Sequence, residues 1–122
     1  MDDEYTPSAD NFPYVSCKSY VVIDADKNKS LHSKNEDQTR EMASLTKIMT
    51  ALVSIMLAQE LNLDLSTTYF TVSSSSAGCC GTTAFLVSDQ RIKLIDLLYA
   101  LMLPSGNDAA LTLAENFGKL MR

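Results

Sequence analysis

Histidine occurs once, at His32, and cysteine three times, at Cys17, Cys79 and Cys80, with no Cys-x-x-Cys spacing. A Cys/His zinc site needs a larger ligand set, so no metal is expected. Three thiols cannot all pair internally, and adjacent cysteines fit disulfide geometry poorly. Free thiols in a reducing compartment are the expectation. Basic residues are also scarce: ten Lys and Arg stand against fifteen Asp and Glu, a formal net charge of -5. With Tyr5, Tyr14 and Tyr20 too scattered to stack bases, this excludes a nucleic-acid binder. No apolar run is long enough to span a bilayer. The most apolar stretch, Ile48 to Ala58, is interrupted by Thr50 and Ser54. The N-terminal Met-Asp-Asp-Glu-Tyr has neither the basic start nor the apolar core of a secretory signal, so the chain as it stands reads as intracellular.

What is present suits one globular domain. The chain has 122 residues, 46% of them hydrophobic, enough to bury a core. Residues 1–16 are polar, acidic and contain Pro7 and Pro13, which predicts a flexible N-terminal arm ahead of a domain over residues 17–122. Lys18 to Ala25 is β-branched and aromatic and predicts a strand. Asp26 to Lys29 is a turn, and Ser30 to Ser33 is its returning arm. Ser44 to Glu60 predicts a helix that is apolar on nearly all faces and therefore buried. Thr67 to Val72 predicts a short strand, and Ser73 to Thr83 a small-residue loop. Lys93 to Leu103 predicts a helix stopped by Pro104. Asp108 to Met121 predicts another, opened by an Asx or Ser cap. The class is α/β in the α+β sense, with too few strands to close a sheet.

Two places carry chemistry. Ser44-Leu45-Thr46-Lys47 opens the most apolar helix, where residues three apart share a face. A serine hydroxyl attacks only when something removes its proton. A lysine does this only when neutral, and apolar surroundings disfavour its charged form. The helix N-terminus adds free backbone N–H groups for developing negative charge. Spacing alone favours a capping serine beside an unrelated lysine, but a lysine inside so apolar a helix needs a reason. The second place is Ser105-Gly106-Asn107 between two helices. A hydroxyl there can relay a proton, an amide can hold a substrate amide, and Gly106 permits close backbone approach. A plain interhelical turn uses the same residue types.

Together, the segments VVIDADKNKSLHSKN, ASLTKIMTALV and GTTAFLVSDQRIKLIDLLYALMLPSGNDAALTLAENFG resemble the serine D-alanyl-D-alanine carboxypeptidases. These are the low-molecular-mass penicillin-binding proteins, peptidase S11-like and related to class A β-lactamases. The likeness runs from Lys18 to about Met121. It implies the N-terminal part of a β-lactamase/transpeptidase-like domain, a β-hairpin plus a helical subdomain with an incomplete sheet. It implies Ser44 as the acylated nucleophile, Lys47 as its base, Ser105 as proton relay, and Asn107 as the group that holds substrate backbone and steadies Lys47. The implied substrates are peptides ending in D-Ala-D-Ala, with β-lactams as mimics, and no cofactor.

The third element of that family, Lys-Thr-Gly or Lys-Ser-Gly, occurs nowhere in the 122 residues. The hairpin would keep an unpaired edge, which seeks a partner. Another protein chain covering that edge is expected. Two functions stay open at this stage: serine acyl transfer on D-Ala-D-Ala peptides, or a non-catalytic structural or binding subunit descended from such an enzyme.

Overall fold

A computed structural model of the chain describes residues 14–122. Most of the expected arm, residues 1–13, lies outside the described residues. The chain divides into two compact units, one ending at Glu41 and the other covering Met42–Arg122.

The first unit is the hairpin. Strands β1 (Tyr20–Asp24) and β2 (Lys29–Lys34) pair antiparallel, with a bulge between Val22 and Ile23. The Asp24 carboxylate accepts the backbone N–H groups of Asp26 and Lys27 and closes the turn. Asn28, at φ 49°, takes the left-handed position that Asn tolerates. His32 is half-buried and stacks on Tyr20, whose hydroxyl lies 2.7 Å from His32 Nδ1. Near the end of β2, the Ser33 hydroxyl donates to Glu36 and holds its carboxyl below the usual range. Val21, Val22, Ile23 and Leu31 are all exposed.

The second unit holds helices α1 (Thr46–Glu60), α2 (Ser74–Ala77), α3 (Leu94–Met102) and α4 (Asn107–Leu120), with strands β3 (Tyr69–Thr71) and β4 (Arg91–Lys93) paired antiparallel. The predicted elements are found, and two are added. The small-residue loop contains α2, because Ser73 caps it by accepting the Ser76 N–H. Arg91 to Lys93 pairs with β3, and Lys93, expected to open the helix, ends this strand instead. The fold is thus mixed helix and strand, with two separate two-stranded sheets.

The core is built on α3 and α4. Leu94, Leu97, Leu98 and Leu101 recur at helical spacing and are buried against Ala109, Leu113 and Phe117. Phe117 meets Phe70 of β3 edge-on, with centroids 5.0 Å apart. Asn116 clamps α4 to β3, exchanging hydrogen bonds with both backbone groups of Thr71. Between α1 and β3, Asp64 accepts the N–H groups of Ser66 and Thr67, which hold its carboxyl below the usual range.

Two sequence expectations are corrected. Helix α1 is not buried all round: only Lys47, Ser54 and Ala58 are buried, while Ile48, Met49, Leu52, Val53, Ile55 and Met56 are exposed. An apolar face is buried only where something stands opposite it, and α3 and α4 cover one side of α1. Nor does an Asx or Ser side chain cap α4. Its N-cap is Gly106, with no side-chain bond, because the Asn107 and Asp108 side chains are engaged elsewhere.

Candidate active site

Ser44 lies in a 3-10 turn, Ala43–Leu45, that runs directly into α1. The turn begins with Ala43 at φ 45°, and across the site Ser105 stands at φ 59°. A non-glycine residue in this region costs of order 1–3 kcal/mol and persists only when its surroundings impose it. At Ser105 they do. Its carbonyl accepts the Thr82 hydroxyl at 2.7 Å, and the next N–H, of Gly106, bonds the Ala100 carbonyl at 3.1 Å.

The Lys47 side chain leaves α1 toward this turn. Its Nζ lies 3.3 Å from Ser44 Oγ, 3.1 Å from Ser105 Oγ and 2.7 Å from Asn107 Oδ1. An amine has three directions for hydrogen bonds, and here each meets a side-chain oxygen. Lys47 is buried, whereas Ser44 is exposed, so the hydroxyl is open to an incoming molecule and the amine is not. The four residues proposed from the sequence are therefore brought together, across 58 and 60 positions of chain in the longer pairs. Ser44, Lys47 and Asn107 line a cleft with Thr50 and Ala110, with a volume of about 400 Å³.

Asn107 is committed on both ends of its amide. Oδ1 accepts from Lys47, and Nδ2 donates to the Cys80 carbonyl at 3.0 Å. One amide hydrogen and one lone pair remain for a substrate backbone. Gly81 packs against this amide. A Cβ there would lie 2.6 Å from Asn107 Nδ2, and its φ is 93°, so only glycine fits on both counts. Gly106 serves close approach in the same way, since a Cβ would fall 2.7 Å from Asp108 Oδ1 and 2.8 Å from the Ala100 carbonyl.

Sequence reasoning missed the strap formed by Cys80 to Leu86, which hydrogen-bonds Ser105 and Asn107, and missed Asp108, which binds it. Asp108 reads as an ordinary acid in the first turn of a helix. The three cysteines are free thiols, and the Cys80 backbone rather than its thiol touches Asn107. Among the described residues, every buried side-chain nitrogen and oxygen has a partner.

The fold is shared with solved penicillin-binding proteins and DD-transpeptidases. The crystal structure of D-alanyl-D-alanine carboxypeptidase DacD from Francisella tularensis superposes with a TM-score of 0.81 at 26% identity, over 98% of this chain and 28% of that one. A mutant form of the Streptomyces K15 DD-transpeptidase gives 0.77 at 32% identity, over 86% and 40%. Residues 5–119 match the peptidase S11 family, D-alanyl-D-alanine carboxypeptidase, and the chain belongs to that family. It is 39% identical over 107 residues to the D-alanyl-D-alanine carboxypeptidase of Streptomyces sp. strain K15, and 33% identical over 98 residues to DacF of Bacillus subtilis strain 168. These alignments take in 87% and 80% of this chain but only 36% and 25% of those relatives. Among the described residues, no helix is long and apolar enough to cross a membrane.

Proposed function

We propose that this chain carries the nucleophile half of a serine acyl-transfer site for peptides ending in D-Ala-D-Ala. The supporting observation is the Lys47 amine, buried and within reach of Ser44, Ser105 and Asn107 at once. The Ser44 oxygen attacks the carbonyl carbon of the penultimate D-Ala, and Lys47 takes the hydroxyl proton. The backbone N–H of Ser44 faces the oxyanion. As the C–N bond breaks, Ser105 passes a proton to the departing D-Ala amine. Water then cleaves the Ser44 ester by the same route in reverse, releasing the shortened peptide. Asn107 holds Lys47 in place and offers its remaining donor and acceptor to the substrate backbone. A β-lactam acylates Ser44 in the same way, except that its leaving amine stays tethered.

The other wall comes from polypeptide beyond these 122 residues, and a protein partner of this kind is part of the reading. Two features support it. No Lys-Thr-Gly occurs to bind the terminal carboxylate and supply the second oxyanion N–H. An apolar face of α1, and the Val21, Val22 and Ile23 side chains of the hairpin, stand uncovered.

Fluorescent penicillin tests the reading. The isolated chain should be labelled covalently but slowly, since a missing oxyanion donor costs about 10²–10³ in rate. Labelling should vanish in Ser44→Ala. Folded chain that stays unlabelled under prolonged exposure to saturating probe would overturn the proposal.

A further inference from the structure

The Asp108 side chain is 1% exposed, yet among the described residues it meets no cation. All its partners are backbone N–H groups. Oδ1 accepts from Ala84 and Ala109, both at 2.9 Å, and Oδ2 accepts from Leu86 at 3.0 Å and from Ala84 at 3.1 Å. Taking a carboxylate out of water is costly, and a small apolar residue would fill the same place without that cost. Its value must lie in what it holds. The strap from Cys80 to Leu86, bent at Gly81 and Phe85 by φ values of 93° and 58°, turns every second residue to the start of α4. The Cys80 carbonyl takes Asn107 Nδ2, the Thr82 carbonyl takes the Asn107 N–H at 2.7 Å, and Ala84 and Leu86 donate to Asp108. Thr82 also donates its hydroxyl to the Ser105 carbonyl. The carboxylate lies against Gly106, where a Cβ would come within 2.7 Å of Oδ1.

We propose that Asp108 is a positioning residue. Its carboxylate pins the strap to the first turn of α4 and thereby fixes Ser105 and Asn107 where Lys47 meets them. It acts through backbone and touches no reacting atom. Replacing one carboxylate oxygen by an amide sets a donor against the N–H groups of Ala84 and Leu86, or of Ala84 and Ala109. At least one strap bond is then lost, and the Asn107 amide loses its fixed neighbour at Cys80. Only the acylation consequence rests on the function proposed above.

Amide exchange and side-chain NMR on the full 122-residue chain test this, with fluorescent-penicillin acylation as a separate arm. In the wild type, the Ala84 and Leu86 amides should be protected, while those of Thr83 and Phe85 exchange freely. Rapid exchange at Ala84 and Leu86 overturns the proposal before any variant is made. Asp108→Asn should speed exchange at Ala84 and Leu86 about tenfold or more, the equivalent of one hydrogen bond. It should shift the Asn107 side-chain amide resonance and leave Leu97 and Leu113 protected. Acylation of Ser44 should slow about tenfold or more. Unchanged strap amides and an unshifted Asn107 resonance refute the positioning role. Loss of protection at Leu97 and Leu113 refutes it as well, by making Asp108 a general support of the fold. A wild type that never labels sinks the acyl-transfer reading alone, because the exchange and resonance arms need no acylation.

Discussion

Helices α1 and α3 are both rich in large apolar side chains, and they are treated in opposite ways. Helix α3 buries Leu94, Leu97, Leu98 and Leu101 completely or nearly so. Helix α1 leaves Ile48, Met49, Leu52, Val53, Ile55 and Met56 in solvent and buries Lys47, Ser54 and Ala58 instead. The difference lies in what stands opposite. Helix α3 packs on α4 and on Phe70 and Val72, while α1 offers α3 and α4 the side that carries its lysine and leaves an apolar face bare. Apolar character predicts that a face wants cover. It does not predict that the cover lies within the same stretch of chain.

The largest expected effect is on the polar side of α1. Lys47→Ala removes the amine that joins three oxygens, and acylation by fluorescent penicillin should fall by about 10²–10⁴, the usual worth of a general base. An unchanged rate would place the base elsewhere. Next comes α3: Leu97→Ala empties a fully buried site and should cost about 2–5 kcal/mol in urea unfolding. Met56→Ala, on the exposed face of α1, should change stability by no more than about 0.5 kcal/mol in this chain. A cost for Met56→Ala equal to that for Leu97→Ala would erase the contrast between the helices. If further polypeptide covers that face as proposed, Met56→Ala in the covered protein should cost as a core substitution does, which sharpens the comparison.

The smallest effect sits at the loop that leaves α1. Backbone N–H groups of Ser66 and Thr67 favour the ionised form of Asp64 and hold its carboxyl below the usual range. A group lowered on folding stabilises above its unfolded value and loses that contribution as pH falls through the lowered one. Asp64→Asn should therefore lower the melting temperature slightly at neutral pH. That gap should close in acid, as thermal scans across pH would show.

Much of this was legible in the sequence. Ser44 and Lys47 share a face by helical arithmetic, and the leucines of Lys93 to Leu103 announce a helix with a core side. Ser105 and Asn107 are far from Lys47 in sequence, and no local pattern ties them to it. Only the family resemblance did so, and the structure brings them together. Strand β4 escaped notice because three residues are too few to show alternation. Helix α2 escaped because serines and alanine carry no apolar periodicity. Asp108 was hidden for a different reason. Its partners are backbone N–H groups, which leave no mark on residue type, and only Gly106 two positions earlier hints that something crowds the turn.

The claim on which the rest depends is that Ser44 is the residue acylated under the control of Lys47. Peptide mass mapping after penicillin treatment addresses it directly. Cleavage after Arg40 and Lys47 isolates Glu41 to Lys47, in which Ser44 is the only serine. The expected result is a penicilloyl adduct confined to that peptide and lost in Ser44→Ala and in Lys47→Arg, whose guanidinium keeps the cleavage site but stays protonated and cannot act as base. An adduct on the peptide bearing Cys79 and Cys80, or labelling of Ser44 that persists without Lys47, would contradict it.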